Sequence, residues 1–350
     1  MKKSLIALAV LAASGAAMAQ SSVTLYGIAD AYAGGTKTEV NGVGQRQGVV
    51  NTSGVNGSRW GLKGSEDLGG GMNAIFQLES GFSLDTGVSA QQGQLFGRQA
   101  FVGLQSGFGT VSLGRQYSAY DNLQGATNHN YDAFTFNARN GSGASGGGVA
   151  ANGIQDYTSR VNNSIAYTSP NFGGFSGAVV YGFGENKNTT AGTPPVVVNS
   201  DATDSASVHI KYANGPIVVG YAYQQEKLVG VGAAQDKNKY NLVGGSYDFG
   251  VAKLTASYNT VKNNVLKDKE GQIGVSVPFG AAAISAGYAR SKSEGLGAER
   301  TGKGYSILGT YALSKRTGLY AGAQNTKAHV NFAAAETEIT TYGLGVRHSF

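Results

Sequence analysis

From roughly Val23 to Phe350 the chain repeats one unit: about ten residues with every second position apolar, then a turn bearing Gly, Asn or Asp. The last segment shows it plainly, with Tyr342, Leu344, Val346, His348 and Phe350 on one face and Thr341, Gly343, Gly345, Arg347 and Ser349 on the other. Period-two alternation of this kind sets one row of side chains against an apolar medium and the other against water. The same rhythm recurs at Phe175, Val179, Tyr181 and Phe183, at Ile217, Val219, Tyr221 and Tyr223, and at Tyr305, Ile307, Tyr311 and Leu313. Aromatic residues fall at the ends of these sets, where the girdles of a membrane barrel belong. A soluble sandwich would alternate too, but it places polar residues on its outer face, whereas many off-phase positions here are Gly, Ala, Ser or Thr.

The spacing of turns predicts the strand count. Compact connections fall at 67–71, 107–109, 171–174, 214–216, 249–250, 278–280 and 314–316. Longer polar stretches lie near 34–57, 83–96, 117–158, 185–205, 228–238, 262–268, 292–302 and 328–338. Seven short turns alternating with eight long loops predict an all-β fold, a 16-stranded antiparallel transmembrane β-barrel with both ends on the periplasmic side. An even strand count closes such a barrel and leaves no free edge, which hydrocarbon would not tolerate.

Residues 1–19 predict a cleaved export signal: Lys2 and Lys3, an apolar run from Leu5 to Leu11, and Ala17-Met18-Ala19 before Gln20. The barrel domain is then 20–350. The apolar run is too short to span a bilayer, and no later run approaches the roughly 20 residues a spanning helix needs, so strands must make any crossing.

Composition narrows the chemistry. The chain has 55 Gly, 19 Tyr and 14 Phe but only 5 Pro and one Trp, which favours short strands and tight turns. With no cysteine, thiol catalysis and thiolate metal sites are excluded. The net charge of +6, two units of it in the leader, comes without a basic run, so nucleic acid is not an expected partner. Gly141 to Gly146 fits a dinucleotide-binding spacing and Gly143 to Gly147 a nucleophile-elbow spacing, but neither has the strand-to-helix context those sites need. The four histidines are scattered, so neither a metal nor any other cofactor is expected.

Four stretches carry a resemblance: Ser22 to Gly27 (SVTLYG), Ser58 to Gly69 (SRWGLKGSEDLG), Val111 to Arg115 (VSLGR) and the ending Gly345 to Phe350 (GVRHSF). Together they resemble the Gram-negative general diffusion porins, those of beta-proteobacteria above all. The resemblance implies a homotrimer of outer-membrane barrels surrounded by lipid and lipopolysaccharide, passing ions and small hydrophilic solutes without enzymatic activity. It also implies a third extracellular loop folded inward as a constriction, and a terminal aromatic, here Phe350, read by the outer-membrane assembly machinery.

Strand parity places Arg59 and Lys63 opposite Trp60 and Leu62, hence toward the lumen. The resemblance puts an arginine ladder at Arg59, Arg98 and Arg160, and guanidinium groups hold a fixed charge at any physiological pH. Across from it, the third loop offers Asp121, Asp132 and Asp156. The loop departs from the Pro-Glu-Phe-Gly-Gly pattern of many relatives, and Arg139 within it would tip the constriction toward anions. Arg115 shares parity with Val111 and Leu113, which makes it a trimer contact or a partner of a lipid headgroup. A selective sugar channel, a barrel enzyme and an adhesin remain as rival functions.

Overall fold

The computed structural model describes residues 22–130, 133, 135–139, 157–184, 188–191, 196–199, 204–227, 237–264, 266–295, 298–331 and 335–350. The leader, Asp132, Asp156 and the Gly/Ser motifs within 141–147 lie outside the described residues.

The strands are β1 Ser22–Val40, β2 Val43–Thr52, β3 Arg59–Gly69, β4 Met72–Gly81, β5 Gln99–Ser106, β6 Gly109–Tyr117, β7 Arg160–Thr168 and β8 Phe175–Gly182. They continue with β9 Asn188–Ala191, β10 Val196–Asn199, β11 Ser205–Asn214, β12 Ile217–Lys227, β13 Lys237–Asp248 and β14 Lys253–Lys262. The last five are β15 Leu266–Phe279, β16 Ala282–Gly295, β17 Ala298–Ala312, β18 Thr317–Val330 and β19 Ala335–Ser349. One helix among the described residues, α1 Ala119–Thr127, follows β6.

Successive strands pair antiparallel, except that β2 and β3 both pair with β1 and not with each other, and that β8 pairs with β11 and leaves β9 and β10 as a separate hairpin. One edge of β1 takes β19, from Ile28↔Ser349 to Val40↔Thr337. Its other edge takes β3 at Ser22 to Ile28 and β2 at Ala31 to Val40, so β2 and β3 share one strand position interrupted at 53–58. The 17-stranded sheet therefore closes as a 16-stranded barrel without a free edge.

The packing is inverted relative to a soluble protein. Leu344 is 69 % exposed, whereas Gln224 is 0 % and Glu270 1 %. The exposed apolar face is the outer surface, where hydrocarbon replaces water, and the polar face lines the lumen. Aromatic pairs mark the belt's margins, Tyr247 with Phe249 at one end and Tyr288 with Tyr305 at the other.

Several stretches expected as loops are strand. Residues 34–57 form a hairpin turning at Asn41-Gly42, whose φ values of 51° and 82° suit a type I′ turn. Strands β15 to β19 likewise run through most of 292–302 and 328–338, and β15 begins within 262–268. There the outward residues change from apolar to charged, so the hydrophobic period fades while the backbone ladder continues.

Asp30, fully buried on β1, holds the interruption at 53–58. Its carboxylate accepts bonds from the Gly54 and Asn56 amides at 2.8 and 2.9 Å and from the Tyr320 hydroxyl at 2.6 Å. A carboxylate so fully satisfied is stable without water, and it ties β1, the 53–58 bend and β18 together.

Candidate functional site

The described residues of segment 118–139 follow β6 and lie against the polar face of β11 to β18. Ser118 caps α1 by accepting from the Asp121 amide at 3.1 Å, and the Ala119 amide donates to Ser207 Oγ at 2.9 Å. Farther along, Tyr120 and Gln124 both donate to Asn259 Oδ1 at 2.9 Å, and Asn130 donates to Ser285 at 2.9 Å. Phe136 then inserts, 0 % exposed, between Tyr32 and Tyr320, with ring centroids 5.3 and 6.2 Å away. The approach is possible because inward positions beneath the segment are glycine. A β-carbon on Gly244, Gly274 or Gly322 would overlap Thr127, His129 or Phe136 respectively.

The opposite part of the lumen wall, β3 to β7, carries long cations. Arg59 and Lys63 share the face of Gly61, away from Trp60 and Leu62, and Lys63 Nζ lies 5.3 Å from the centre of the Tyr26 ring. Arg98 precedes β5 and has the parity of the outward Ala100 and Val102, but alternation does not extend beyond the strand end. Its stem crosses the bare face of Gly81, and Arg98 Nε donates to Glu79 Oε1 at 2.6 Å with both side chains buried. Tyr26 donates to the other oxygen of Glu79 at 2.9 Å.

Tyr117 links two of the arginines. Its phenol oxygen accepts from Arg98 Nη2 at 2.7 Å and Arg160 Nη2 at 3.0 Å, and the Arg160 guanidinium lies 4.8 Å from the ring centre. The register shift between Gly114 and Gln116 interrupts the alternation of β6, and beyond it Tyr117 joins Arg98 instead of continuing the row of Leu113. Arg160 Nε is buried without a hydrogen-bond partner among the described residues.

The remaining sequence-predicted residues are placed as follows. Asp121 is buried in the first turn of α1 and accepts the Tyr157 hydroxyl at 2.7 Å. Arg139 is buried and ion-paired through Nε with Glu270 on β15. Arg115 spends its donors within the chain, on the Gly97 carbonyl at 2.8 Å and on Asn162 Oδ1. The Phe350 backbone closes the barrel by exchanging hydrogen bonds with Gly27 at 3.0 and 3.1 Å. Asp132 lies outside the described residues.

Sequence reasoning missed Glu79, Tyr117 and Glu270. Glu79 shares parity with Gln77 opposite Phe76 and Leu78, and that alternation could have found it. Tyr117 was hidden by the irregular register of β6. An inward tyrosine group does exist, Tyr120, Tyr157 and Tyr240, but all three rings are buried around α1 and hold the helix in place. Among the described residues no group of His, Asp and Glu could hold a metal ion.

Comparison with known proteins agrees with this inside-out, cation-lined cylinder. Residues 5–331 match the Gram-negative porin family. The chain belongs to that family. It is 35 % identical to an outer membrane porin of Bordetella pertussis, with 100 % of both chains covered. It is 41 % identical to outer membrane porin protein 32 of Delftia acidovorans, over 75 % of this chain and 70 % of that one. Among solved structures, the anion-selective porin from Comamonas acidovorans superposes with a TM-score of 0.75 at 28 % identity, covering 94 % of this chain and 100 % of that one. This porin is thus a passive, water-filled channel of the Gram-negative outer membrane for ions and small hydrophilic solutes, and its relatives are channels, not enzymes. A soluble adhesin sandwich is ruled out by the closed barrel.

Proposed function

We propose that the bore narrows between the cationic wall of β3 to β7 and segment 118–139, and that this constriction favours small anions. The balance of charge carries the reading. Arg59, Lys63, Arg98 and Arg160 converge on one wall, and Glu79, the carboxylate among them, is already engaged by Arg98. On the facing segment, Asp121 serves as helix cap partner and phenol acceptor, and Arg139 is neutralised by Glu270. Fixed guanidinium charge at a narrow, partly desolvated passage raises the local concentration of anions and repels cations. The relative described as anion-selective supports the same sign.

In this reading the export leader is removed after Ala19 and the mature barrels assemble as homotrimers among lipopolysaccharide, with Phe350 presented to the assembly machinery. Arg115, held against Gly97 and Asn162, orders the rim and reaches a neighbour only through its remaining donor positions. Planar-bilayer recording tests the constriction. Wild-type protein should show a reversal potential on the anion side in a salt gradient, with conductance lost in steps of three. Arg59→Ala and Arg160→Ala should each move that potential toward cations, and an unchanged potential in both removes them from the constriction.

A further inference from the structure

The buried arginines Arg98 and Arg139 each meet a carboxylate, Glu79 and Glu270 respectively. Arg160 meets none among the described residues. Its guanidinium is held instead by Tyr117, with Nη2 donating to the phenol oxygen at 3.0 Å and the group lying 4.8 Å from the ring centre. The same oxygen takes Arg98 Nη2 at 2.7 Å, so one neutral atom joins two cations whose nitrogens are no more than about 6 Å apart. Like charges at that distance repel, and a guanidinium gains by moving to a carboxylate.

Arg160 has such a carboxylate for a neighbour. Glu79 is already engaged, because Arg98 Nε and the Tyr26 hydroxyl take its two oxygens at 2.6 and 2.9 Å. Glu226, near the end of β12, lines the same hollow of about 260 Å³ as Arg160. Its Oε1 atom is held by neutral donors, the Thr158 amide and Gln224 Nε2, both at 2.6 Å, and no cation pairs with it among the described residues. A cation and a carboxylate thus border one hollow without closing on each other.

The backbone is shaped to place the tyrosine. Tyr117 and Arg160 are cross-strand partners just beyond the bulge at which Arg115 alone stands against Asn162 and Asn163. Gly114 there has a φ of 134° and Asn163 one of 47°, conformations that few residue types adopt. A β-carbon on Gly114 would overlap the Ala100 carbonyl. Bulges re-aim side chains beside functional sites.

We infer that Tyr117 is a positioning residue for ion selectivity: its phenol oxygen holds Arg160 away from Glu226 and so keeps one wall cation uncancelled. The inference rests on the reading of the constriction as anion-favouring and names what keeps its charge available. A carboxylate at position 117 would hold the two arginines as firmly but would cancel one of their charges. A phenol holds both, through its oxygen and its ring face, and cancels neither. Once the oxygen is gone, Arg160 closes on Glu226 and the wall loses a unit of positive charge.

The chloride-over-potassium permeability ratio of the purified protein, read in planar bilayers across a potassium chloride gradient, tests this. Tyr117→Phe keeps the ring and loses the oxygen, so heat-dependent gel mobility should be that of wild type while the ratio falls about twofold or more. The same substitution made in an Arg160→Ala background should add no further loss, because the residue it acts through is gone. Made in a Glu226→Gln background it should again cost nothing, since the carboxylate that captures the arginine is absent. A tyrosine that merely braced the wall would show its loss in all three backgrounds, which is what the double-mutant comparison separates. A shift in Arg160→Ala with none in Tyr117→Phe, or a Tyr117→Phe loss undiminished by Glu226→Gln, overturns the inference and leaves the anion-favouring constriction standing. No shift in any variant overturns both.

Discussion

The two halves of the lumen wall share a backbone ladder and an alternation, yet they carry opposite loads. On β11 to β18 many of the inward positions beneath segment 118–139 are Gly, Ser, Asn and Gln, short enough for it to lie on them and polar enough to bond it. On β3 to β7 they are Arg, Lys, Tyr and Glu, which extend from the wall themselves. One half is a bed and the other a brush. The asymmetry places the loop on one side and charge on the other, and alternation alone cannot do that.

Removing the carboxylate from the brush is the most damaging single change. Glu79→Gln removes the buried carboxylate that Arg98 Nε is paired with, and breaking one side of a buried pair costs about 3–5 kcal/mol. The shift from folded to unfolded mobility on heating should move to lower temperature, and the reversal potential should move further toward anions. A stable variant with unchanged selectivity would mean that water already reaches Arg98 and that the two halves differ less than their burial indicates.

The bed is tested at its far end. Phe136→Ala removes a fully buried ring from between Tyr32 and Tyr320, at about 3–5 kcal/mol of docking energy. The barrel ladder is untouched, so thermal unfolding should shift little while single-channel traces gain open-state noise as the segment lifts. Gly322→Leu should reproduce the noise from the other side by occupying the space the ring needs. Quiet channels in both variants would assign the anchoring to the polar bonds of α1.

How far each half was legible follows from the range of its interactions. The brush was read in part because Arg59 and Lys63 sit inside a regular strand beside Trp60 and Leu62, where parity is local. Arg98 and Tyr117 escaped parity because one precedes its strand and the other follows a register shift. The bed was not legible. Asn259 meets Tyr120 across 139 positions of sequence, and Gln324 meets the Asn137 carbonyl across 187. The long hairpin at Asn41-Gly42 was available in the sequence as a turn pair and was overlooked because its outward residues are polar.

The smallest effect separates the halves by proton binding. His129, beyond the end of α1, lies over Gly274, and its Nε2 atom has no hydrogen-bond partner among the described residues. Burial pushes its imidazole down from the ordinary 6.5 to about 4. A depressed histidine pKa means the released or unfolded segment takes up a proton before the docked one does. Docking is therefore at full strength above pH 6.5, weakens as pH falls toward 4, and loses nothing further below that, for a total of about 1–3 kcal/mol. The guanidinium groups that dominate the brush hold a fixed charge whatever the pH. Open-channel noise should thus rise between pH 6.5 and 4 while the sign of selectivity holds. His129→Gln, which keeps the volume and cannot take the charge, should flatten the noise profile; a profile unchanged by that substitution would place the acid-sensitive group elsewhere in the bed.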